Sequence, residues 1–138
     1  MAKRVITVLG GTGLQGGGVV SSLLAGGEFA VRVASRNPAS DASRALAARG
    51  VEVVKADLLE PSSLAAALSG SYGAFVVTNF WDPGQGPRET EVGTAAVKAA
   101  RAAGVQHLIW STLPDVEKLT TGRLKVVHFD RASGFFMP

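Results

Sequence analysis

Cysteine is absent from the 138 residues, which excludes disulfides and thiol chemistry and is compatible with a reducing compartment. Long apolar runs are missing too: nothing approaches the ~20 consecutive apolar residues of a membrane span. The start, MAKRVITVLG, carries a short apolar run that leads straight into glycine, without the small-residue cleavage site of a secretory signal. A soluble, cytoplasmic protein is the expectation. Histidine occurs twice, and no His, Asp or Glu residues converge at ligand spacing, so no metal site is expected. Strong charge of one sign is lacking as well. Fourteen Lys and Arg against eleven Asp and Glu leave a net +3. The basic residues are scattered singly without interleaved aromatics, which argues against a nucleic-acid surface and suits a small anionic ligand. At this length a single domain, residues 1–138, buries roughly two thirds of its unfolded surface without staples.

What is abundant is glycine, 17 in all, and it is densest in VITVLGGTGLQGGG at residues 5–18. Val5, Ile6, Val8 and Leu9 make a short apolar run suited to a strand buried on both faces. Glycines then follow at Gly10, Gly13 and Gly16. Gly10 permits a turn that a Cβ would obstruct, Gly13 lets backbone approach a phosphate, and Gly16 lets the next helix pack on the strand. The N–H groups of Thr12 to Gln15 are expected to be unpaired helix-start donors, which favour a pyrophosphate together with the helix dipole. Inside a helix Gly16, Gly17 and Gly18 cost about 1 kcal/mol each relative to alanine, so close packing is expected to compensate. The alternative is a glycine-rich surface loop. No Gly-Lys-Ser/Thr follows, so this is not a Walker A loop.

Residues 29–34, FAVRVA, read as a second strand that ends in Ser35-Arg36-Asn37-Pro38. Arg36 occupies the place where an NAD-type site carries an acid for the ribose hydroxyls. An Arg there pairs a 2′-phosphate and favours NADP(H), the alternative being a solvated surface Arg. A helix at 39–49 closed by Gly50 leads to a third strand at 51–55, after which Asp57 either accepts from an adenine amino group or caps its turn. Pro61 opens a helix with Leu64 and Leu68 on its buried face and Gly70 as its stop. The fourth strand, 74–77, delivers Thr78, Asn79, Phe80 and Trp81 to the carboxyl edge of the sheet. Residues 82–87, DPGQGP, read as a loop without secondary structure that lies over a bound cofactor. A helix at 88–103 ends at Gly104, and HLIW at 107–110 is the fifth strand. Right-handed crossovers make this an α/β Rossmann-type doubly wound parallel sheet of order 3-2-1-4-5, with its switch point between strands one and four. A 1–112 core is thus followed by a 113–138 segment without pattern, ending in an apolar Phe135-Phe136-Met137 expected to pack on the sheet or on another chain.

With these residues assembled, the chain resembles the NmrA-like family, atypical members of the short-chain dehydrogenase superfamily that include NADP(H)-sensing regulators and reductases of the isoflavone-reductase type. The resemblance rests on GGTGLQGG at 10–17, VRVASRNP at 31–38, VTNFW at 77–81, AAGVQHLIWSTL at 102–113 and KLTTGRLKVVHFD at 118–130. It implies that Gly10, Thr12, Gly13, Leu14, Gln15 and Gly16 hold the pyrophosphate, that Arg36 holds the 2′-phosphate, and that Thr78, Asn79 and Phe80 border the nicotinamide half. Two departures stand out. Relatives continue His-Phe-Asp with a small residue and a Lys that reaches the nicotinamide ribose or the substrate, whereas Arg131-Ala132 follows Asp130 here. Family members are also longer, adding a strand and a substrate lobe, so this chain is expected to be truncated relative to them.

The lone tyrosine, Tyr72, has Val76 four residues on, so the Tyr-x-x-x-Lys pair of ordinary short-chain dehydrogenases is absent, and Tyr72 is expected at the core edge. His107 is expected to open a buried strand, and His128 is better placed for polar chemistry. Three functions stay open. The first is a non-catalytic NADP(H)-binding regulator acting through a protein partner, favoured by the missing Lys and lobe. The second is an NADPH-dependent reductase of a small carbonyl or enone, its pocket completed by a homodimer through the fifth-strand edge or the tail. The third is a scaffold recruited to a reaction without nicotinamide.

Overall fold

The computed structural model describes residues 1–133. Five strands, β1 (Val5–Leu9), β2 (Ala30–Ser35), β3 (Glu52–Lys55), β4 (Ser71–Val76) and β5 (His107–Trp110), form one parallel sheet of order β3-β2-β1-β4-β5, as the crossover argument requires. Between them run α1 (Leu14–Gly26), α2 (Asp41–Ala48), α3 (Pro61–Leu68) and α4 (Glu89–Ala102). Side-chain alternation along the strands divides the core into two layers. Ile6, Val8, Val31, Val33 and Phe75 face Val20 of α1 and Leu46 of α2. Leu9, Ala34, Ala74 and Val76 face Leu64 and Leu68 of α3 and the small Ala96 and Ala100 of α4.

Three features depart from the sequence reading. β4 begins at Ser71, three residues earlier than expected. Gly73 belongs to the strand because a Cβ there would stand 2.7 Å from Ile6 Cδ1 and 3.0 Å from the His107 carbonyl. The register slips between Val5 and Ile6, and the buried Thr7 and Ser71 hydroxyls meet at 2.7 Å. His107 does not open a buried strand: β5 is the sheet edge, and His107, Leu108 and Ile109 are exposed. Tyr72 does lie at the core edge, stacked on Phe29 and covered by the Arg4 guanidinium.

Residues 113–133 are not irregular throughout. They hold α5 (Val116–Leu119) and α6 (Val127–Ser133), tied together by Asp130, whose carboxylate accepts from the Val116, Glu117 and Val126 N–H groups at 2.8, 3.1 and 2.9 Å. Helices of four and seven residues are too short for periodicity to show. The Phe135-Phe136-Met137 end lies outside the described residues. One charge is structural: Arg32, within β2, donates to the Ala67 and Ser69 carbonyls at 3.0 and 2.7 Å and to Glu52 at 2.8 Å, so it caps the C-terminus of α3.

Candidate functional site

The turn between β1 and α1 is built by contact. Gly10 adopts φ +82°, and a Cβ on it would stand 2.9 Å from Val77 Cγ1. A methyl on Gly16 would overlap the Gly10 carbonyl oxygen, so the first turn of α1 sits directly on the end of β1. Gly11 is equally constrained, with a Cβ meeting Val33 at 2.7 Å, and the sequence reading gave it no role. The expected compensation for three helical glycines holds only for Gly16. Gly17 has ordinary contact at 3.6 Å and Gly18 faces open space.

One of the four expected donors is already used. The Gly13 N–H donates to the Gly10 carbonyl at 3.0 Å, and Gly13 is the helix N-cap without a side-chain cap. The first helical bond runs from Gly17 to Gly13, so the N–H groups of Leu14, Gln15 and Gly16 have no partner within the helix.

These groups border a cleft of about 460 Å³ at the carboxyl edge of the sheet, between β1 and β4. Gly10, Thr12, Gly13, Leu14, Gln15, Arg36, Asp57, Thr78 and Asn79 all line it. Gly16 does not: it is buried beneath the turn and shapes the cleft from behind. Asp57 caps its turn, its Oδ1 accepting from the Leu59 N–H at 2.9 Å, and it also lines the cleft. Arg36 stands at the rim with its side chain 61% exposed, yet it is not simply solvated, because Nη1 donates to Asp82 Oδ2 at 3.0 Å.

The 82–87 segment is not an open flap. Asp82 Oδ1 accepts from the Gly84 and Gln85 N–H groups, and the buried Gln85 side chain accepts from the Asn79 N–H at 3.1 Å. Gly86 crosses the Phe80 carbonyl too closely for any side chain, and a 3-10 turn, Gly86–Arg88, follows. Arg131 Nη1 donates to the Gly86 carbonyl at 2.9 Å. The Gly84 N–H above all, with the Gln85 N–H and the Arg36 guanidinium, holds the Asp82 carboxyl below its ordinary value of 3.8.

A second cavity of about 260 Å³ adjoins the first and shares Gln15, Val77, Thr78 and Asn79 with it. Phe80, Trp81 and His128 line it, their rings packed at 5.2 to 5.6 Å. Ser111, at the end of β5, donates to Gln15 Oε1 at 2.8 Å across the shared wall. Phe80 therefore belongs to the second cavity and not to the cleft. Glu89, at the start of α4, lines the second cavity and escaped the sequence reading. It is buried, accepts the Thr78 hydroxyl at 2.6 Å through Oε1, and leaves Oε2 without a partner. Only its place at the first position of α4, the helix that follows β4, could have marked it in sequence. Among the described residues no group of three or more His, Asp or Glu could hold a metal, and no helix is long and apolar enough to cross a membrane.

Known proteins are similar to this chain in sequence and in fold. The model of the NmrA-like family matches residues 2–133. The NmrA-like family domain-containing oxidoreductase lnaB of Aspergillus flavus is 43% identical over 133 residues, which are 93% of this chain and 40% of that protein. The chain thus spans about two fifths of the curated relatives it matches. Among solved structures, NmrA, a negative transcriptional regulator, is 25% identical with a TM-score of 0.81 over 96% of this chain and 40% of its own. The triphenylmethane reductase of Citrobacter sp., complexed with NADP(H), is 25% identical with a TM-score of 0.78 over 95% of this chain and 43% of its own.

Proposed function

The chain belongs to the NmrA-like family, and from that premise we propose that it is the nucleotide-binding part of an NADP(H)-dependent oxidoreductase. The observation that carries this reading is one cleft that joins the free N–H groups of α1 to a rim guanidinium, Arg36. The donor set fits the dinucleotide: backbone N–H groups for a pyrophosphate, a cation for a 2′-phosphate, and a polar Thr78–Asn79 edge leading to a second cavity. Thr12, Gly13, Leu14 and Gln15 would hold the diphosphate, Arg36 the 2′-phosphate, and Thr78, Asn79 and Phe80 the nicotinamide half. Gly10 and Gly16 shape the turn. Bound there, the nicotinamide supplies or accepts hydride. The chain's own contribution is to aim that end at the cavity walled by Phe80, Trp81 and His128, where a small carbonyl or enone substrate would sit.

A second reading, a non-catalytic redox-responsive regulator, is supported by Arg131. Relatives are expected to carry a Lys in this stretch, but the cation here is turned away to the Gly86 carbonyl and stands 6.0 Å from the Phe80 ring. A homodimer through the exposed Leu108 and Ile109 of β5 suits either role.

Calorimetric titration with NADPH, NADP and NADH, with the mass in solution recorded alongside, tests the binding claim. Preference for the phosphorylated forms supports it, and no heat at near-millimolar cofactor contradicts it. Consumption of NADPH in the presence of a quinone or an aromatic aldehyde favours the oxidoreductase; tight binding without consumption favours the regulator.

A further inference from the structure

Arg36 does not meet the cleft as a free cation. Asp82, from a loop 46 residues further along the chain, takes one of its guanidinium nitrogens at 3.0 Å. The carboxylate is held there independently of Arg36: its other oxygen accepts from the Gly84 N–H at 2.9 Å and the Gln85 N–H at 3.3 Å, and its side chain is only 16% exposed. The loop behind it is fixed by the Gln85 bond to the Asn79 N–H and by Arg131 on the Gly86 carbonyl. A negative charge is therefore built into the structure within contact distance of the one cation that lines the cleft among the described residues.

We propose that Asp82 is a specificity-determining residue of this site, a built-in competitor that restrains the preference of Arg36 for 2′-phosphorylated dinucleotides and so keeps the site open to the unphosphorylated ones. This rests on the reading of the cleft as a dinucleotide site. Two effects of Asp82 oppose each other. It limits the rotamer freedom of Arg36, which favours any ligand that Arg36 binds. It also occupies one donor, offsets the cation's field, and repels a phosphate that carries between one and two negative charges. The charge acts through both its cancellation of Arg36 and its repulsion of the phosphate, whereas the ordering concerns one half-exposed side chain, so the charge wins. A ligand with a free 2′-hydroxyl feels neither part of the electrostatic effect.

The test is Asp82→Asn. Asparagine keeps an Oδ1 acceptor for the Gly84 and Gln85 N–H groups, so the loop retains its staples while the charge goes. Titrations would use NADPH and NADH, and adenosine 2′,5′-bisphosphate and AMP as probes of the adenosine end alone. Asp82→Asn is expected to tighten NADPH and the bisphosphate about fivefold to tenfold, leave NADH and AMP within about twofold, and lose most of its effect near 1 M salt. Weaker NADPH binding, or an equal change for all four ligands, would overturn the proposal and leave Asp82 as a loop staple. Asp82→Ser, which keeps a short acceptor without the charge, reads the same ratio if the asparagine variant unfolds. Arg36→Ala separates the two levels. If it costs NADPH nothing, the dinucleotide reading of Arg36 fails; if it costs NADPH heavily while Asp82→Asn changes nothing, only the role of Asp82 fails.

Discussion

Gly16 rests directly on the carbonyl of Gly10, so closely that a methyl group at position 16 would overlap the oxygen. Two residues further along the same helix, Gly18 is exposed and nothing lies within 4 Å of where its Cβ would be. Gly18→Ala is therefore expected to stabilise the chain by about 0.5–1 kcal/mol, the helix-propensity difference. Gly16→Ala is expected to destabilise it by more than that, because the clash is with backbone and α1 must shift off β1. Urea denaturation midpoints of the two variants should move in opposite directions, and only Gly16→Ala should weaken NADPH binding.

Arg32 caps α3 from a strand. Replacing it with Met keeps much of the stem's packing but strands the Ala67 and Ser69 carbonyls that the guanidinium satisfies. A loss of about 2–3 kcal/mol is expected, in line with charged hydrogen bonds in a partly buried setting. Lys at the same position should recover little, since a single ammonium cannot span both carbonyls and Glu52 as the fork does. Chemical denaturation of Arg32→Met and Arg32→Lys gives both numbers.

The Thr78 hydroxyl is the one hydrogen-bond donor that Glu89 has among the described residues. Thr78→Val, nearly isosteric, leaves a buried carboxyl with neither oxygen partnered and is expected to cost about 2–3 kcal/mol. Thr78→Ser should cost less than half of that. The Thr78→Val/Glu89→Leu double variant should be more stable than Thr78→Val alone, and a double-mutant cycle measures the coupling.

Asp82 makes the cleft rim acid-sensitive in a defined direction. Its folded-state pKa lies below 3.8, so the charge-assisted part of the stabilisation it gives the loop is fully present above that ordinary value and is lost as pH falls through the lowered one, while the neutral acceptor remains. Trp81 is 76% exposed and adjacent to Asp82, so its fluorescence reports the loop. In a Trp110→Phe/His128→Asn background, which removes the imidazole packed on Trp81, the signal should hold on acidification past the ordinary carboxylate range and change only below it. Adding Asp82→Asn should remove that transition.

The scaffold was legible because each βαβ unit repeats the same punctuation. Gly70 and Gly104 stop helices at φ +70° and +73°, Pro61 starts one, and short apolar runs alternate with helical spacing. The position of Arg36 at the end of β2 was legible for the same reason. Contacts between distant residues were not. The pairing of Asp82 with Arg36 spans 46 residues and that of Arg32 with Ser69 spans 37, and no local pattern encodes either. The start of β4 was set at residue 74 instead of Ser71, because only the tertiary fold reveals that Ile6 and the His107 carbonyl crowd Gly73 within the strand. The edge position of β5 followed from the strand order, but the exposure of His107 did not, because an apolar run such as HLIW reads as covered until its neighbours are known. α5 and α6 owe their form to Asp130, a clamp that reaches across the chain.

The central claim is that the cleft binds a phosphorylated dinucleotide through Arg36, and calorimetric titration of the unmodified chain and of Arg36→Ala with NADPH and NADH tests it most directly. Arg36→Ala is expected to weaken NADPH binding by about tenfold or more, the worth of one charge-assisted phosphate contact, while NADH binding changes little. Equal losses for the two ligands, or none for either, would contradict it.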